Sequence, residues 1–198
     1  VERGYLARDA DDRLRLTNRL FELGMRTPRP RQLAEIAIPV MERLSEETGQ
    51  SAHLVVVNRG ETVVIATTTG GADLSFALRL GYRRPALEAT SGLLVMAFQP
   101  APVQRRMIEE SARLAPKEVD AAALDAELAA IRGRGSRVSE SRDVGGVTDI
   151  GVPPLGPPGH AGARLVVPPP PRPRATAPVA AILAALERAG AAISAQLI

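Results

Sequence analysis

The strongest constraint on the fold is a change of hydrophobic period near residue 50. Before it, Leu33, Ile36, Ala37, Val40, Met41 and Leu44 recur at helical spacing, with Arg31, Glu35, Glu42, Arg43 and Glu46 on the other side. After it, Ser51–Asn58 and Glu61–Thr69 are runs rich in β-branched residues, joined by Arg59-Gly60, a hairpin signal. A chain patterned this way buries one helical stripe against strands whose residues alternate between two faces. Pro39 falls inside the helical stretch and predicts a kink or one missing hydrogen bond. Thr48-Gly49 supplies the stop.

The rest of the chain extends the same plan. A third strand is expected over Leu74–Leu80, where Leu74, Phe76, Leu78 and Leu80 alternate with Ser75, Ala77 and Arg79. Gly81–Pro85 reads as a loop, and Ala89-Thr90-Ser91-Gly92 leads into an apolar helix, Leu93–Phe98. Helices are predicted over Pro102–Glu110 and Val119–Ile131, and strands over Arg137–Ser141, Val147–Leu155 and Ala161–Val167. Turns are expected at Asp143–Gly146 and Gly156–Gly159. A polyproline-like stretch at Pro168–Pro171 and Pro173 precedes a final amphipathic helix, Ala177–Ile198. At the start, Gly4-Tyr5-Leu6 and Asp11–Leu16 predict a strand pair too small to stand alone. Thr17 or Asn18 would then cap a helix, Leu20–Met25, with Phe21 on its buried side. Helix, strands, helices, strands and helix make an α+β fold, its sheet largely antiparallel and flanked by helices.

Composition narrows the chemistry. The chain has 198 residues, 45% of them hydrophobic, enough for one sizeable core behind a short N-terminal extension. Its apolar runs are too short to span a bilayer and no secretory signal opens it, so the expected location is cytoplasmic, with no membrane partner. Without cysteine there is no disulfide framework and no thiolate metal site. The net charge is only +3, and Arg3, Arg8, Arg13, Arg15 and Arg19 are interspersed with Asp9, Asp11, Asp12 and Glu22. Mixed signs of this kind are a solvated face rather than a phosphate-binding stripe.

No catalytic, metal or cofactor site is expected. His53, in an apolar strand, and His160, in a Gly/Pro turn, are the only histidines and do not make a zinc site. There is no nucleophile elbow, phosphate loop or dinucleotide fingerprint. Asp143, Asp149 and His53 leave a small hydrolase or isomerase as an alternative reading. The best binding segment is Glu88–Gly92. A hydroxyl-rich loop opening a helix offers free N–H groups and the positive end of the helix dipole to a carboxylate, with Arg83 and Arg84 adding charge. The plainer possibility is that Thr90 or Ser91 simply caps its own helix.

Several pieces together resemble the IclR family of bacterial transcription regulators. Gly4-Tyr5-Leu6 is similar to the end of that family's winged-helix wing, and Leu14–Gly24 to its wing-to-linker segment. Ile38–Leu44 with Glu47-Thr48-Gly49 resembles the first helix of the effector domain. Gly81–Pro85 and Ala89–Gly92 resemble its pocket loop, and Val147–Pro153 the strand lining the opposite wall. The resemblance implies that residues 1–28 are a remnant of the wing plus a linker helix, and that 29–198 form a GAF-like effector-binding domain. It implies a non-enzyme that binds a small carboxylic or aromatic acid and assembles as a homodimer or homotetramer. DNA would be contacted only through a winged helix absent from this chain. The effector residues it implies are Thr90, Ser91, Gly92, Ser139, Asp149, Val166 and Pro168. Val166 and Pro168 stand where acid-binding relatives carry hydroxyl donors, so that end of the pocket is expected to lack partners for a polar ligand group. A stand-alone GAF-like sensor or dimerisation module is the remaining alternative.

Overall fold

Asp9 organises the turn between the first two strands. In the computed structural model, which describes residues 2–25, 28–71, 76–114, 119–141, 145–152, 163–169 and 178–197, its carboxylate accepts from the N–H groups of Asp11 and Arg13, both at 3.0 Å. It also pairs with Arg15 at 2.7 Å, and this guanidinium, ahead of the Arg13 amide, holds the carboxyl below its ordinary pKa. The turn closes an antiparallel pair, β1 (Leu6–Arg8) and β2 (Leu14–Leu16), with Leu6 opposite Leu16. Helix α1 (Arg19–Met25) follows, its first amide accepted by the Thr17 hydroxyl at 3.3 Å. Phe21 is 68% exposed, against the expectation that it faces inward. An amphipathic pattern names an apolar side, but burial also needs a surface to receive it. These elements and the start of α2 (Pro28–Thr48) form one unit, Val1–Glu35; Ile36–Ile198 form the second.

In the second unit α2 runs unbroken through Pro39, which stands exposed, while Ala37, Val40, Met41 and Leu44 are buried. The Thr48 hydroxyl donates back to the Leu44 carbonyl at 2.7 Å and Gly49 takes a left-handed φ of 67°, ending the helix. Strands β3 (Ala52–Asn58) and β4 (Glu61–Thr68) form the expected hairpin. Arg59 and Gly60 have φ of 52° and 78°, as a two-residue turn between twisted strands requires. Leu54 pairs with Ala66 but Val55 with Val64, which leaves Ile65 as a bulge.

Two expectations fail next, for one reason. Among the described residues, Phe76–Arg79 is not a strand, and Arg83–Pro85 is one: β5, paired to β4 at the edge of the sheet. Leu74 and Ser75 lie outside the described residues. Phe76 and Leu78 alternate because they cover a cavity, not because they sit in a ladder. Pro85 is tolerated because it lies on an edge strand.

A short 3-10 turn, Ala86–Glu88, leads to α3 (Thr90–Ala97), then α4 (Ala101–Ala112) and α5 (Ala121–Arg134). Asp120 caps α5 by accepting from the amides of Ala122 and Ala123, and Gly135 closes it at φ 72°. Strands β6 (Arg137–Glu140), β7 (Thr148–Gly151) and β8 (Arg164–Val167) complete a six-stranded antiparallel sheet of order β5-β4-β3-β8-β7-β6. The expected β7 extension over Pro153–Leu155, the turn at 156–159, His160 and the prolines 170–173 fall outside the described residues. Helix α6 (Val179–Ser194) packs on β7 and β8 through a stripe that includes Ile182, Leu186 and Ile193.

Helix α3 occupies the opposite face and is the centre of the core. All eight of its residues are buried, and Leu93–Ala97 pack with Met107, Leu124, Leu128 and Ile131 from α4 and α5. A helix this enclosed cannot leave its last carbonyls to water. Arg164, fully buried in β8, donates to the Leu94 carbonyl at 2.6 Å and lies under the Phe98 ring. Gln104 donates to the Met96 carbonyl at 2.7 Å. Burial pushes the Arg164 pKa well down, and the negative end of the α3 dipole is what offsets its charge there.

Candidate functional site

Between the sheet and the beginning of α3 lies a cavity of about 340 Å³. Its floor is the sheet itself. His53 and Val55 on β3, Thr62 and Val64 on β4, Asp149 on β7 and Val166 on β8 face it, with Pro168 just beyond β8. The period of two explains the choice: on β3 and on β4 the lining residues are two apart, and residues paired across strands share a face. His53 pairs with Val166, and Val166 with Gly151. The wall is Ala89, Thr90 and Ser91 at the start of α3, joined by Tyr82 and Arg84 from the β5 side. Phe76 and Leu78 form the roof.

The polar wall is built around one hydroxyl. Thr90 Oγ1 receives Arg137 at 2.9 Å, lies 2.9 Å from Ser139 Oγ and donates to Asp149 Oδ2 at 3.3 Å. Arg137 is held in turn by Glu127 of α5 at 2.6 Å. Thr90 is therefore occupied sideways rather than as a cap. The residue preceding the helix is Ala89, with no side-chain cap, and α3 starts at Thr90 instead of Leu93. The reading of Thr90 or Ser91 as a self-cap is thus corrected. Arg84 brings a guanidinium to the other flank, where it donates to the Glu88 carbonyl.

The expected residues divide cleanly. Thr90, Ser91, Asp149, Val166 and Pro168 line the cavity. Ser139 stands behind Thr90 as its hydrogen-bond partner, and Asp143 lies outside the described residues. Gly92 is a packing residue. A Cβ there would fall 1.9 Å from the Ala86 carbonyl oxygen, so only glycine lets α3 meet the 3-10 turn. Gly151 has a related role under α3, where a Cβ would meet Leu94 at 2.4 Å. Among the described residues no group of three or more His, Asp or Glu side chains is placed to hold a metal ion, and no helix is long and apolar enough to cross a membrane.

His53 is the residue that pattern reading undervalues. It is fully buried, and its Nε2 accepts from the Leu78 N–H at 2.8 Å, tying the roof to the floor. Burial pushes its pKa down to about 4, so the ring is neutral near pH 7. Nothing local distinguishes it from a structural histidine, because the groups that define it lie 25 and 113 positions away, at Leu78 and Val166.

Residues 27–195 match the family described as bacterial transcriptional regulator IclR, C-terminal. The chain belongs to this family. An IclR homolog from Microbacterium hydrocarbonoxydans, crystallised with 4-hydroxybenzoate, is 26% identical with a TM-score of 0.79, over 100% of this chain and 81% of that one. The IclR transcriptional regulator of Alicyclobacillus acidocaldarius has a TM-score of 0.77 at 21% identity, over 100% and 81%. The HTH-type transcriptional regulator RhmR of Escherichia coli (strain K12) is 29% identical over 105 residues, 53% of this chain and 40% of that protein. The chain thus spans less than half the length of that curated relative in their match. The α+β, GAF-like architecture and the IclR resemblance drawn from the sequence both stand.

Proposed function

We propose that this IclR domain is an effector sensor whose cavity takes a small organic acid with an aromatic or apolar body, and that it carries no catalytic activity of its own. The observation that carries this reading is the composition of the cavity wall. Val55, Val64, Val166 and Pro168 give the floor an apolar part, while Arg84, Ser91 and the first turn of α3, which lacks a side-chain cap, gather on one side. Amides at a helix N-terminus beside a guanidinium suit a carboxylate, and about 340 Å³ is within the range of small-molecule sites. The 4-hydroxybenzoate bound by the Microbacterium hydrocarbonoxydans homolog is an acid of this class. Thr90, Ser91, Asp149, Val166 and Pro168 contact the ligand on this reading, with Ser139 positioning Thr90 and Gly92 positioning the helix. Binding controls an attached DNA-binding domain only if two conformations of the sensor hold the acid unequally.

The experiment is a thermal-shift screen of the purified chain against small carboxylic and aromatic acids, 4-hydroxybenzoate included. At least one acid should raise the melting temperature without turnover, and Ser91→Trp, which fills the wall beside α3, should abolish that rise. A screen with no stabilising acid, or a tryptophan variant that responds unchanged, overturns the assignment.

A further inference from the structure

Resting on that reading of the cavity, we propose that His53 is a specificity-determining residue: its Nδ1–H donates to a neutral oxygen acceptor on the bound acid, away from the carboxylate. The two ring nitrogens have different fates. Nε2 accepts the Leu78 N–H at 2.8 Å and therefore carries no proton. The single proton of the neutral ring is thereby fixed on Nδ1, and Nδ1 is buried with no hydrogen-bond partner. An orphaned donor of this kind costs stability and calls for an explanation. His53 forms part of the cavity floor, directly across from Val166; Nδ1 exposes no surface to the cavity, so the ligand oxygen reaches it by displacing a lining side chain. On this reading the Val166 end, expected to lack partners for a polar ligand group, gains a donor from the neighbouring strand.

The surroundings select the acceptor. Val55, Val64 and Val166 share this part of the cavity with His53, and a carboxylate pressed against them would lose its hydration for one neutral hydrogen bond. A ketone, aldehyde or phenol oxygen loses far less and satisfies the imidazole. The acid group stays with Arg84 and Ser91, and the effector is read at two points.

The test compares ligands of one shape that differ only in the acceptor. Calorimetric titrations use 3- and 4-acetylbenzoate against 3- and 4-isopropenylbenzoate, where a C=CH₂ replaces the C=O. The wild-type chain should bind one acetyl isomer about tenfold or more tighter than its isopropenyl counterpart. In His53→Phe the ratio should fall to about one, whatever happens to absolute affinity. Nitrogen-15 spectra of the wild-type imidazole give an independent readout. They should show the Nδ1–H tautomer in the free protein and a downfield shift of that proton with the acetyl ligand. Equal binding of the paired ligands by wild type, or a discrimination that survives in His53→Phe, overturns the proposal and leaves the acid pocket standing. No binding of any of the four also overturns it, and the acid screen then decides whether the pocket reading goes too.

Discussion

His53 makes stability depend on pH in a direction that can be worked out. In the unfolded chain its ring titrates near 6.5, whereas burial lowers the folded value to about 4. Well above pH 6.5 the ring is neutral in both states and contributes no slope. As pH falls from 6.5 toward 4, the unfolded chain takes up a proton that the folded chain refuses, so stability is lost through that window and no further below it. The loss between pH 8 and pH 5 should amount to about 2 kcal/mol. Urea unfolding at a series of pH values measures it, and His53→Phe should remove most of the slope. If the variant keeps the wild-type slope, the buried neutral ring is not its source. Asp9 shifts downward as well, but Asp9 and its partner Arg15 are common to both proteins.

At the scale of elements, α3 is placed by what it lacks. Gly92 allows its first turn to touch the 3-10 turn backbone, whereas Gly133 near the end of α5 has open space where a Cβ would go. The two glycines should therefore respond oppositely to alanine. Gly92→Ala forces backbone apart and should cost about 3 kcal/mol. Gly133→Ala relieves only the helical penalty of glycine and should stabilise by about 0.5 kcal/mol. Denaturant midpoints of both variants check the pair, and equal signs would refute the packing role of Gly92. What sequence could reveal follows the same division. Helix α2, the β3–β4 hairpin and α5 are legible because local period, turn residues and caps specify them. Strand β5 is not, because three residues become a strand only by finding the edge of β4. The Phe76 and Leu78 alternation is real but ambiguous, since a cavity roof and a half-buried strand ask for the same pattern. Thr90 and Ser91 were recognisable as a helix-opening pair, yet the Thr90 bonds to Arg137, Ser139 and Asp149 span 47 to 59 residues and leave no local mark.

For the whole molecule, the unburied apolar residues of the first unit carry the expectation of self-association. Leu14, Leu16, Leu20, Phe21 and Leu23 are all exposed there, and such a group seldom stays in water. Light scattering on the purified chain should give at least twice the 20.9 kDa of one copy, and Phe21→Glu should shift the population toward a single copy. A wild-type chain of one-copy mass at micromolar concentration would refute this. The second unit has its own division of labour. The Ala86 N–H bonds to Gly60 at 2.9 Å, the Leu87 N–H bonds to the Ser111 hydroxyl at 3.0 Å, and Gly60 lies so close to Glu110 and Ser111 that no Cβ fits between them. The turn of the hairpin, the 3-10 turn, α3 and α4 are thereby locked into one block. Across the cavity, the roof is tied to the floor by the Leu78–His53 bond and, at its far end, by the Gly81 and Tyr82 links to Val64. The pocket consequently has one stiff wall and one compliant wall. A ligand enlarged toward α3 meets a block that moves as a whole or not at all, while one enlarged toward Phe76 meets a surface that can yield, so tolerance for ligand size should be directional.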